Sequence, residues 1–344
     1  MSDSQEWSGS SIVPRDYTED HVRQYFERIG MSVKDKLPAP TLETLQEIVS
    51  KHLLVIPFGN LSLFYYHTLS EPDKTKMRPC DLSDPLTTRG FSSHPLDVFQ
   101  KLVVLQRDGC SGEQNTLLTG ILSKLGFISY PAPARTVHHG IGDSEYEVTA
   151  TSHLVLIVLI DGRRYLVDVG YSQIDSFLPV PIPDIGEKLP EIEILGSKAL
   201  RITHCHFNGR MDKESPYPPH PLLEARINGR WLPRYFFTLT PSLPSDLDIL
   251  TSHILHGPSN ISHHIMLRLR YQRPNGMLSL IDNVVIFQGD NGTYSSIVLK
   301  TEAERRLIYR TKFGIPLHPQ DIEHLPAHIA KGFTDIPQFL RPHF

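Results

Sequence analysis

A helix begins within the stretch Arg107-Asp108-Gly109-Cys110-Ser111-Gly112-Glu113-Gln114-Asn115, directly after a β-rich run from Leu102 to Leu105. Leucine and isoleucine then recur at helical spacing, and Gly126 closes the pattern. Ser111 is therefore expected at the helix N-terminus, where unpaired backbone N–H groups and the helix dipole favour negative charge. This position suits a nucleophile or an oxyanion. It also suits an ordinary helix cap, since Ser111 and Gln114 have the spacing of a capping box.

A second candidate element is a β-hairpin between residues 153 and 170. Asp161-Gly162 is typical of a type I′ turn. Counting back from that turn puts Val155 opposite Asp168 and His153 diagonal to it, at about 7–8 Å or less between Cβ atoms. An imidazole and a carboxylate can bridge this gap, and a carboxylate that fixes a histidine tautomer supplies two members of a nucleophile triad. A purely structural His–Asp pair on a sheet face is the alternative.

Together these pieces resemble the arylamine N-acetyltransferase family. Arg107 to Asn115 is similar to the family motif R-G-G-x-C-x-E-x-N, and His153 and Asp168 stand in similar H-L-V-L and Y-L-V-D-V-G contexts. Pro57-Phe58-Gly59-Asn60-Leu61 resembles the family's P-F-E-N-L, and a weaker likeness runs through most of the chain. The resemblance implies a cysteine-protease-like Cys–His–Asp triad. Such a triad takes an acyl group from a thioester, usually acetyl-CoA, and passes it to an amine.

The sequence departs from this family pattern at the nucleophile. Aligning the E-x-N end of the motif places Ser111 at the position of the family's cysteine and Cys110 one residue earlier. The resemblance then implies Ser111, His153 and Asp168 as the catalytic residues, with Cys110 as the alternative nucleophile. The other motif positions, which would support the triad, are Arg107, Asp108, Gly109, Glu113 and Asn115.

The second departure from the family pattern concerns a carboxylate, which is missing from one motif and present in the other. Gly59 stands where the family has Glu, and Asp108 stands where the family has Gly. In the family that Glu helps to hold the motif's Arg. We therefore expect the side chain of Asp108 to take over this contact with Arg107.

A serine at the nucleophile position limits the possible reactions but does not identify a single one. A serine hydroxyl loses its proton during attack, so it depends more than cysteine on the general base and on oxyanion stabilisation. Three functions fit: an acyltransferase with an amine or alcohol acceptor, a thioesterase or other hydrolase, and an inactive relative that acts as a binding protein. Retention of both His153 and Asp168 favours an enzyme.

The co-substrate follows from the resemblance alone. It implies acyl-CoA, with acetyl-CoA first, as a small-molecule thioester donor, and no permanently bound cofactor. Malonyl-CoA, propionyl-CoA and a natural-product acyl group from secondary metabolism are the alternatives.

The composition is that of a soluble globular protein, with 40% hydrophobic and 21% charged residues among 344. A net charge of −4 gives no basic field for nucleic acid or for an anionic membrane. The polar start and the lack of a ~20-residue apolar run argue against a signal peptide or membrane span, so we expect a cytoplasmic protein. Cys80, Cys110 and Cys205 are too few and too scattered for a disulfide framework.

No metal site is expected from the histidines. They lack cysteine partners and the H-E-x-x-H spacing of a zinc helix. The ones weighed for this role are His204, His206, His220, His263 and His264.

The order of elements is typical of an α+β protein. Capping and periodicity predict helices that begin at Thr18, Thr41 and Pro95, and strands dominate after Ser129. A Pro-rich stretch, 179–190, is expected to be a linker or an outer loop. Further signals predict a short strand at 134–137, hairpins at Asn228-Gly229 and around 274–276, a turn at 289–292, and helices at 301–312 and 321–331.

This order divides the chain into three parts. Residues 1–128 are expected to form a helical subdomain that carries the nucleophile-position helix, and residues 129–240 a β-barrel-like subdomain with the His/Asp hairpin. Residues 241–344 are expected to form a C-terminal β/α lid. The antiparallel β core follows from the strand signals. The barrel shape, and a lid that helps to bind the CoA donor, are what the resemblance implies.

Overall fold

The computed structural model describes residues 17–33, 35–66, 91–139, 146–171, 178–194, 199–206, 218–227, 229–256, 265–272, 275–289, 293–317 and 322–323. In this part of the chain, no helix is both long and apolar enough to cross a membrane.

Helices come first, as predicted. α1 (Glu19–Arg28) and α2 (Leu42–Val55) are capped by the hydroxyls of Thr18 and Thr41, which accept backbone N–H groups of the first turn. Two short strands follow α2, and α3 (Pro95–Phe99) then starts with proline at its first position. The apolar faces of these helices build a common core that includes Val22, Tyr25, Phe26, Leu45, Ile48, Val49 and Phe99.

Leu102 to Val104 are helical and Leu105 is the C-cap, so the β character predicted for Leu102 to Leu105 is wrong. α3 continues directly into a π-helix, Gln100–Val104, which buries Leu102 and Val103 in the helical core. Leucine and valine fit a helix whose face is buried, and this packing overrides their local β preference. The π-helix delivers the chain to α4 (Ser111–Lys124), a helix that is almost entirely buried.

The two short strands after α2 pair with distant parts of the chain. β1 (Phe58–Gly59) joins a C-terminal sheet, and β2 (Tyr65–Tyr66) pairs with a short strand near residue 322. The helical part of the chain is thus tied to the C-terminal part by backbone hydrogen bonds.

The middle of the chain forms one curled antiparallel sheet. Its strands run in the order β7-β6-β5-β3-β11-β10-β9-β8, with β4 on β3, and β7 also approaches β9, so the sheet nearly closes into a barrel. The strands are β3 (Ile128–His139), β4 (Tyr146–Val148), β5 (His153–Ile160), β6 (Arg163–Val167), β7 (Val180–Pro181), β8 (Ile192–Glu193), β9 (Ala199–Cys205), β10 (His220–Ile227) and β11 (Arg230–Phe237).

Strand β5 separates two cores. Leu156 and Val158 face the helical core, whereas Val155 and Ile157 face the barrel interior. Because side chains alternate along a strand, His153 lies on the barrel-interior side at the start of β5. This strand therefore places the imidazole between the barrel and α4.

Two predictions for this sheet need correction. The predicted strand at 134–137 is only the end of β3, which also includes Pro131 and Pro133. The carbonyls of these prolines accept the N–H groups of Ser242 and Thr238, at 2.8 Å and 3.1 Å, on the side where β3 has no partner strand. Because N–H and C=O of one residue point the same way in an antiparallel strand, a missing N–H there breaks no ladder bond.

The Pro-rich stretch at 179–190 is not only a linker. It contributes β7 to the barrel and buries Val180 and Ile182 in the barrel interior. Its proline content suggested an outer loop, but an edge strand of two residues tolerates proline.

The C-terminal part is a second sheet flanked by helices. α5 (Pro244–His256), which the sequence did not predict, precedes the sheet, and α6 (Glu302–Lys312) follows it with the predicted Thr301 cap. The sheet order is β1-β12-β13-β14-β15. Its strands are β12 (Met266–Gln272), β13 (Asn275–Ile281), β14 (Val284–Gly289) and β15 (Tyr294–Val298).

Two C-terminal predictions shift. Asn275 and Gly276, expected in a turn, instead belong to β13 and pair with Gln272 and Tyr271; residues 273–274 lie outside the described residues. Ile322–Glu323 forms a strand, β16, on β2, where a short helix was predicted. The rest of that predicted helix lies outside the described residues. The α+β class itself is confirmed.

Candidate active site

The predicted hairpin brings His153 and Asp168 together. Asp161-Gly162 forms its turn with φ angles of 49° and 76°, as a type I′ turn requires. Pairing of Leu156 with Val167 follows the predicted register. Nε2 of His153 lies 2.7 Å from Oδ2 of Asp168, and both side chains are 3% exposed. A buried imidazole is thus held in one orientation by a carboxylate.

The carboxylate of Asp168 is itself fixed by α4. Nδ2 of Asn115 donates to Oδ1 of Asp168 at 3.0 Å and to the carbonyl of Leu154 at 2.6 Å. Oδ1 of Asn115 accepts the N–H of Val169 at 3.2 Å, and Gly170 donates its N–H to Asp168 at 2.9 Å. Asn115 therefore ties α4 to both strands of the hairpin and orients the His–Asp pair.

Ser111 stands at the first position of α4, so its predicted role as the N-cap is wrong. The N-cap is Cys110, whose backbone N–H is accepted at 3.0 Å by Oε2 of Glu113, three residues on. This is the backbone half of a capping box shifted by one residue. Gln114, the expected partner of Ser111, makes other contacts. The cap therefore does not require the hydroxyl of Ser111.

Ser111 lies on the face of α4 that meets the hairpin. Residues four apart share a helix face, and Asn115, one turn after Ser111, is bonded to Asp168. The segment after Asp168 packs against Ser111 itself: a Cβ built on Gly170 would lie 2.7 Å from Cα of Ser111. Only glycine allows this approach, a requirement that no local signal in the sequence indicates.

Cys110 faces a different environment. Its side chain is 2% exposed and belongs to the apolar cluster that contains Leu61, Tyr65 and Phe91. Burial, and to a lesser degree the carboxylate of Glu113, raise the pKa of the Cys110 thiol to about 12. A thiol with this pKa is a poor source of thiolate at neutral pH.

A buried chain of hydrogen bonds fixes Gln114, in the first turn of α4. The sequence did not predict it. Oε1 of Gln114 lies 2.7 Å from Nε2 of His52, whose Nδ1 lies 2.9 Å from the hydroxyl of Tyr25. Nε2 of Gln114 donates to the carbonyl of Pro57 at 2.8 Å. Burial lowers the pKa of His52 to about 4, so the ring is neutral near pH 7.

Asp108 takes up the space beside Gly59. It is fully buried, and its Oδ2 accepts the N–H of Leu61 at 2.8 Å. A Cβ built on Gly59 would lie 2.6 Å from that oxygen. Arg107 donates to the carbonyl of Tyr65 and attracts Asp108 electrostatically. Gly59 and Asp108, the two departures from the family motif, therefore lie next to each other. The hydrogen bond of the Asp108 carboxylate is to the backbone N–H of Leu61.

Aromatic rings border the imidazole. The rings of Tyr171 and Tyr235 each lie 5.2 Å from the ring of His153, centroid to centroid. Burial raises the pKa of Tyr235 well above its usual value, and the Asp168 carboxylate raises it further. These neighbours limit water around the His–Asp pair, which strengthens its electrostatic interaction.

A metal site does not form among the described residues, where no group of three or more His, Cys, Asp or Glu side chains is placed to hold an ion. His263 and His264 lie outside that part of the chain.

Comparison with known proteins identifies one family. A family model described as N-acetyltransferase matches residues 83–322. Arylamine N-acetyltransferase from Mycolicibacterium smegmatis is 29% identical over 241 residues, which cover 69% of this chain and 71% of that protein. Arylamine N-acetyltransferase 2 from Mus musculus is 24% identical and covers 91% of this chain and 99% of its own. N-malonyltransferase FDB2 from Gibberella moniliformis is 24% identical, with 85% and 86% covered.

Solved structures share the fold. The M. smegmatis arylamine N-acetyltransferase superposes with a TM-score of 0.67 at 25% identity, covering 89% of this chain and 96% of that one. The Mycobacterium marinum enzyme, solved in complex with CoA, gives a TM-score of 0.64 at 21% identity, with 86% and 92% covered.

Proposed function

The chain belongs to the arylamine N-acetyltransferase family, and from this premise we propose that Ser111, His153 and Asp168 move an acyl group from acyl-CoA to an amine. One observation carries the proposal. Ser111 shares a face of α4 with Asn115, which is bonded to Asp168, the partner of His153. Ser111 therefore lies one helical turn before the residue that orients the His–Asp pair, which supports its assignment as the nucleophile.

The first half-reaction acylates the serine. Because Nε2 of His153 is bonded to Asp168, Nδ1 is the nitrogen that accepts the proton of Ser111 as Oγ attacks the thioester carbonyl. Backbone N–H groups at the start of α4, together with the helix dipole, stabilise the tetrahedral oxyanion. Its collapse breaks the carbon–sulfur bond, His153 protonates the leaving thiolate, and an ester of Ser111 remains.

The second half-reaction transfers the acyl group. The amine nitrogen attacks the ester carbonyl of Ser111, and its proton passes to His153. Collapse of this intermediate breaks the bond to Oγ, and His153 returns the proton to the Ser111 oxygen. The product is an amide, and the enzyme is restored. An alcohol acceptor or water would follow the same steps and yield an ester or a free acid.

Cys110 is the weaker candidate for the nucleophile. Its thiol packs among apolar side chains, and burial raises its pKa to about 12. Its position one residue before Ser111 turns it away from the face that Asn115 defines.

Acetyl-CoA is the proposed donor. Relatives that match nearly the whole chain are named N-acetyltransferases, and the M. marinum neighbour was solved with CoA bound. Arylamines are the proposed acceptors, as the names of these relatives indicate.

A donor with a carboxylate on its acyl group is the second candidate, because one relative is named an N-malonyltransferase. A β-bulge in β11 makes Arg234 the extra residue next to Tyr235, where it is 3% exposed. Burial raises the pKa of Tyr171 to about 12, while the positive charges of Arg234 and Arg268 oppose this rise. Positive charge near the ring beside His153 favours an anionic acyl group.

One assay separates the possible functions. CoA release from acetyl-CoA is measured with and without an arylamine, in the wild type and in Ser111→Ala. Without the amine, a transferase releases at most one CoA per protein; with the amine it releases CoA continuously and forms the acetylated amine, and Ser111→Ala does neither. Continued release of CoA over many turnovers without any amine indicates a thioesterase. No release with any donor indicates a binding protein and overturns the proposal.

The donor is tested by competition. If the second candidate is right, malonyl-CoA gives the higher kcat/KM, and the ratio of malonyl to acetyl transfer falls in Arg234→Gln. A preference for acetyl-CoA that Arg234→Gln leaves unchanged excludes it.

A further inference from the structure

A buried ion pair lies beneath the candidate nucleophile. Nζ of Lys101, in the π-helix before α4, lies 2.8 Å and 2.9 Å from the two carboxylate oxygens of Glu113. The two side chains are 9% and 1% exposed. The ring of Phe91 covers the ammonium at 4.1 Å. A buried pair of this kind costs desolvation and is retained only if its geometry is satisfied.

Glu113 of this pair holds the end of the turn that presents Ser111. Oε2 of Glu113 accepts the N–H of Cys110 at 3.0 Å, directly before Ser111. The backbone carbonyl of Lys101 accepts the N–H of Arg107 at 2.9 Å. Gly109, between these points, leaves room for the carboxylate, since a Cβ there would lie 3.3 Å from Oε2 of Glu113. The carboxylate of Glu113 therefore fixes the end of the turn next to Ser111, and the backbone carbonyl of Lys101 fixes its start.

Lys101 also sets the charge beneath the turn. Burial raises the pKa of Glu113, and the positive charge of Lys101 is the largest effect that lowers it. Asp108, the other buried carboxylate of the turn, is likewise raised by burial, and Lys101 is again the largest opposing charge. One ammonium thus serves two buried carboxylates close to the place where an oxyanion develops.

We propose that Lys101 is a positioning residue for acyl transfer: it keeps Glu113 a carboxylate, which clamps the Cys110 N–H and aims Ser111 and the first N–H groups of α4. The inference rests on the proposed role of Ser111 as the nucleophile. Lys101 does not touch the reacting atoms. Its effect passes through Glu113.

The test is a double-mutant cycle with Lys101→Met, Glu113→Gln and the double variant. The rate at which acetyl-CoA acylates the protein in a single turnover is measured against pH. Lys101→Met should lower this rate by about 100-fold or more, since it leaves a buried carboxylate unpaired. The double variant should recover to within about 10-fold of the wild type, because the Gln oxygen still accepts the Cys110 N–H, no charge remains at position 113, and Asp108 keeps the nearby positive charge of Arg107. Lys124→Met, at an exposed position of α4, is the control and should match the wild type.

The pH profile separates positioning from general destabilisation. In Lys101→Met, Glu113 is neutral at low pH and becomes an uncompensated charge as pH rises, so the loss of rate should grow with pH. Neither the wild type nor the double variant should show this additional loss of acylation rate with rising pH.

The possible results either support or overturn the inference. Acylation of Lys101→Met at the wild-type rate overturns the inference, and so does a double variant no faster than Lys101→Met. If Lys101→Met does not fold, a folded and active double variant supports the inference, while an inactive one overturns it. An absent adduct in the wild type would instead overturn the role of Ser111.

Discussion

Nε2 of His153 lies 2.7 Å from Oδ2 of Asp168 in a contact that solvent scarcely reaches. The two residues are 15 positions apart and are joined by a hairpin whose register a two-residue turn sets. Asp168 also accepts hydrogen bonds from Asn115 and Gly170, so its orientation does not depend on the histidine. Of the two side chains, the imidazole is therefore the one whose orientation depends on its partner. The carboxylate determines which of the two ring nitrogens carries the proton.

Asp168→Asn should remove activity while leaving the fold. An amide in this place keeps the volume but no longer selects the tautomer with Nδ1 unprotonated. We expect kcat/KM for acetyl transfer to fall by about 10³–10⁴-fold, as for the equivalent change in serine triads. Circular dichroism should match the wild type. A variant that retains more than about a tenth of the activity would separate Asp168 from catalysis.

Gly59→Ala should destabilise the protein, because Asp108 occupies the neighbouring space. The new Cβ would lie 2.6 Å from Oδ2 of Asp108 and 2.4 Å from Cδ2 of Leu267. We expect a loss of about 1–3 kcal/mol in the free energy of unfolding, measured by urea denaturation.

Gly112→Ala is the matched control for this prediction. A Cβ on Gly112 meets nothing within 4 Å, and alanine favours a helix over glycine by about 0.5–1 kcal/mol. Its free energy of unfolding should stay level or rise. Equal effects of the two substitutions would contradict the account of the space beside Asp108.

His52 should make stability depend on pH. Burial lowers its pKa to about 4 in the folded state, from 6.5 in the unfolded chain. The unfolded chain thus binds a proton that the folded protein does not. The free energy of unfolding is therefore unaffected by this titration above about pH 6.5. As the pH falls from 6.5 toward 4, it decreases by up to about 1.4 kcal/mol per pH unit.

The variant His52→Gln isolates this contribution. Its amide keeps a donor for Gln114 but does not titrate. The slope of unfolding free energy against pH, between about 4 and 6.5, should be shallower than in the wild type by about one proton. Identical slopes would mean that His52 is not the titrating group.

The hairpin was predictable because its information is local. Asp161-Gly162 determines the turn, side chains alternate with a period of two, and these two facts place His153 near Asp168. The Thr18 and Thr41 caps are local in the same sense. Both caps are confirmed. Each hydroxyl binds a backbone N–H in the first turn of the helix that it caps, and no distant contact competes for it.

The start of α4 was missed by one residue because two caps compete there. Ser111 with Gln114 and Cys110 with Glu113 have the same spacing, and a cap contributes only about 1 kcal/mol. The choice is made by partners far along the chain. Gln114 is bonded to His52, 62 positions away, and Glu113 to Lys101. Neither partner carries a sequence signal that identifies it.

The β16 strand and the role of Gly170 were hidden for the same reason. A two-residue strand exists only because Tyr65–Tyr66 lies beside it, and Gly170 is required only because Ser111 approaches it. Both depend on packing between distant segments, which a single sequence does not encode locally.

The most direct test of the account is the mass of the intact protein after rapid mixing with acetyl-CoA, without acceptor, for the wild type, Ser111→Ala and Cys110→Ala. If Ser111 is the nucleophile, one acetyl group is added to the wild type and to Cys110→Ala, and none to Ser111→Ala. An adduct that persists in Ser111→Ala and disappears in Cys110→Ala would contradict it.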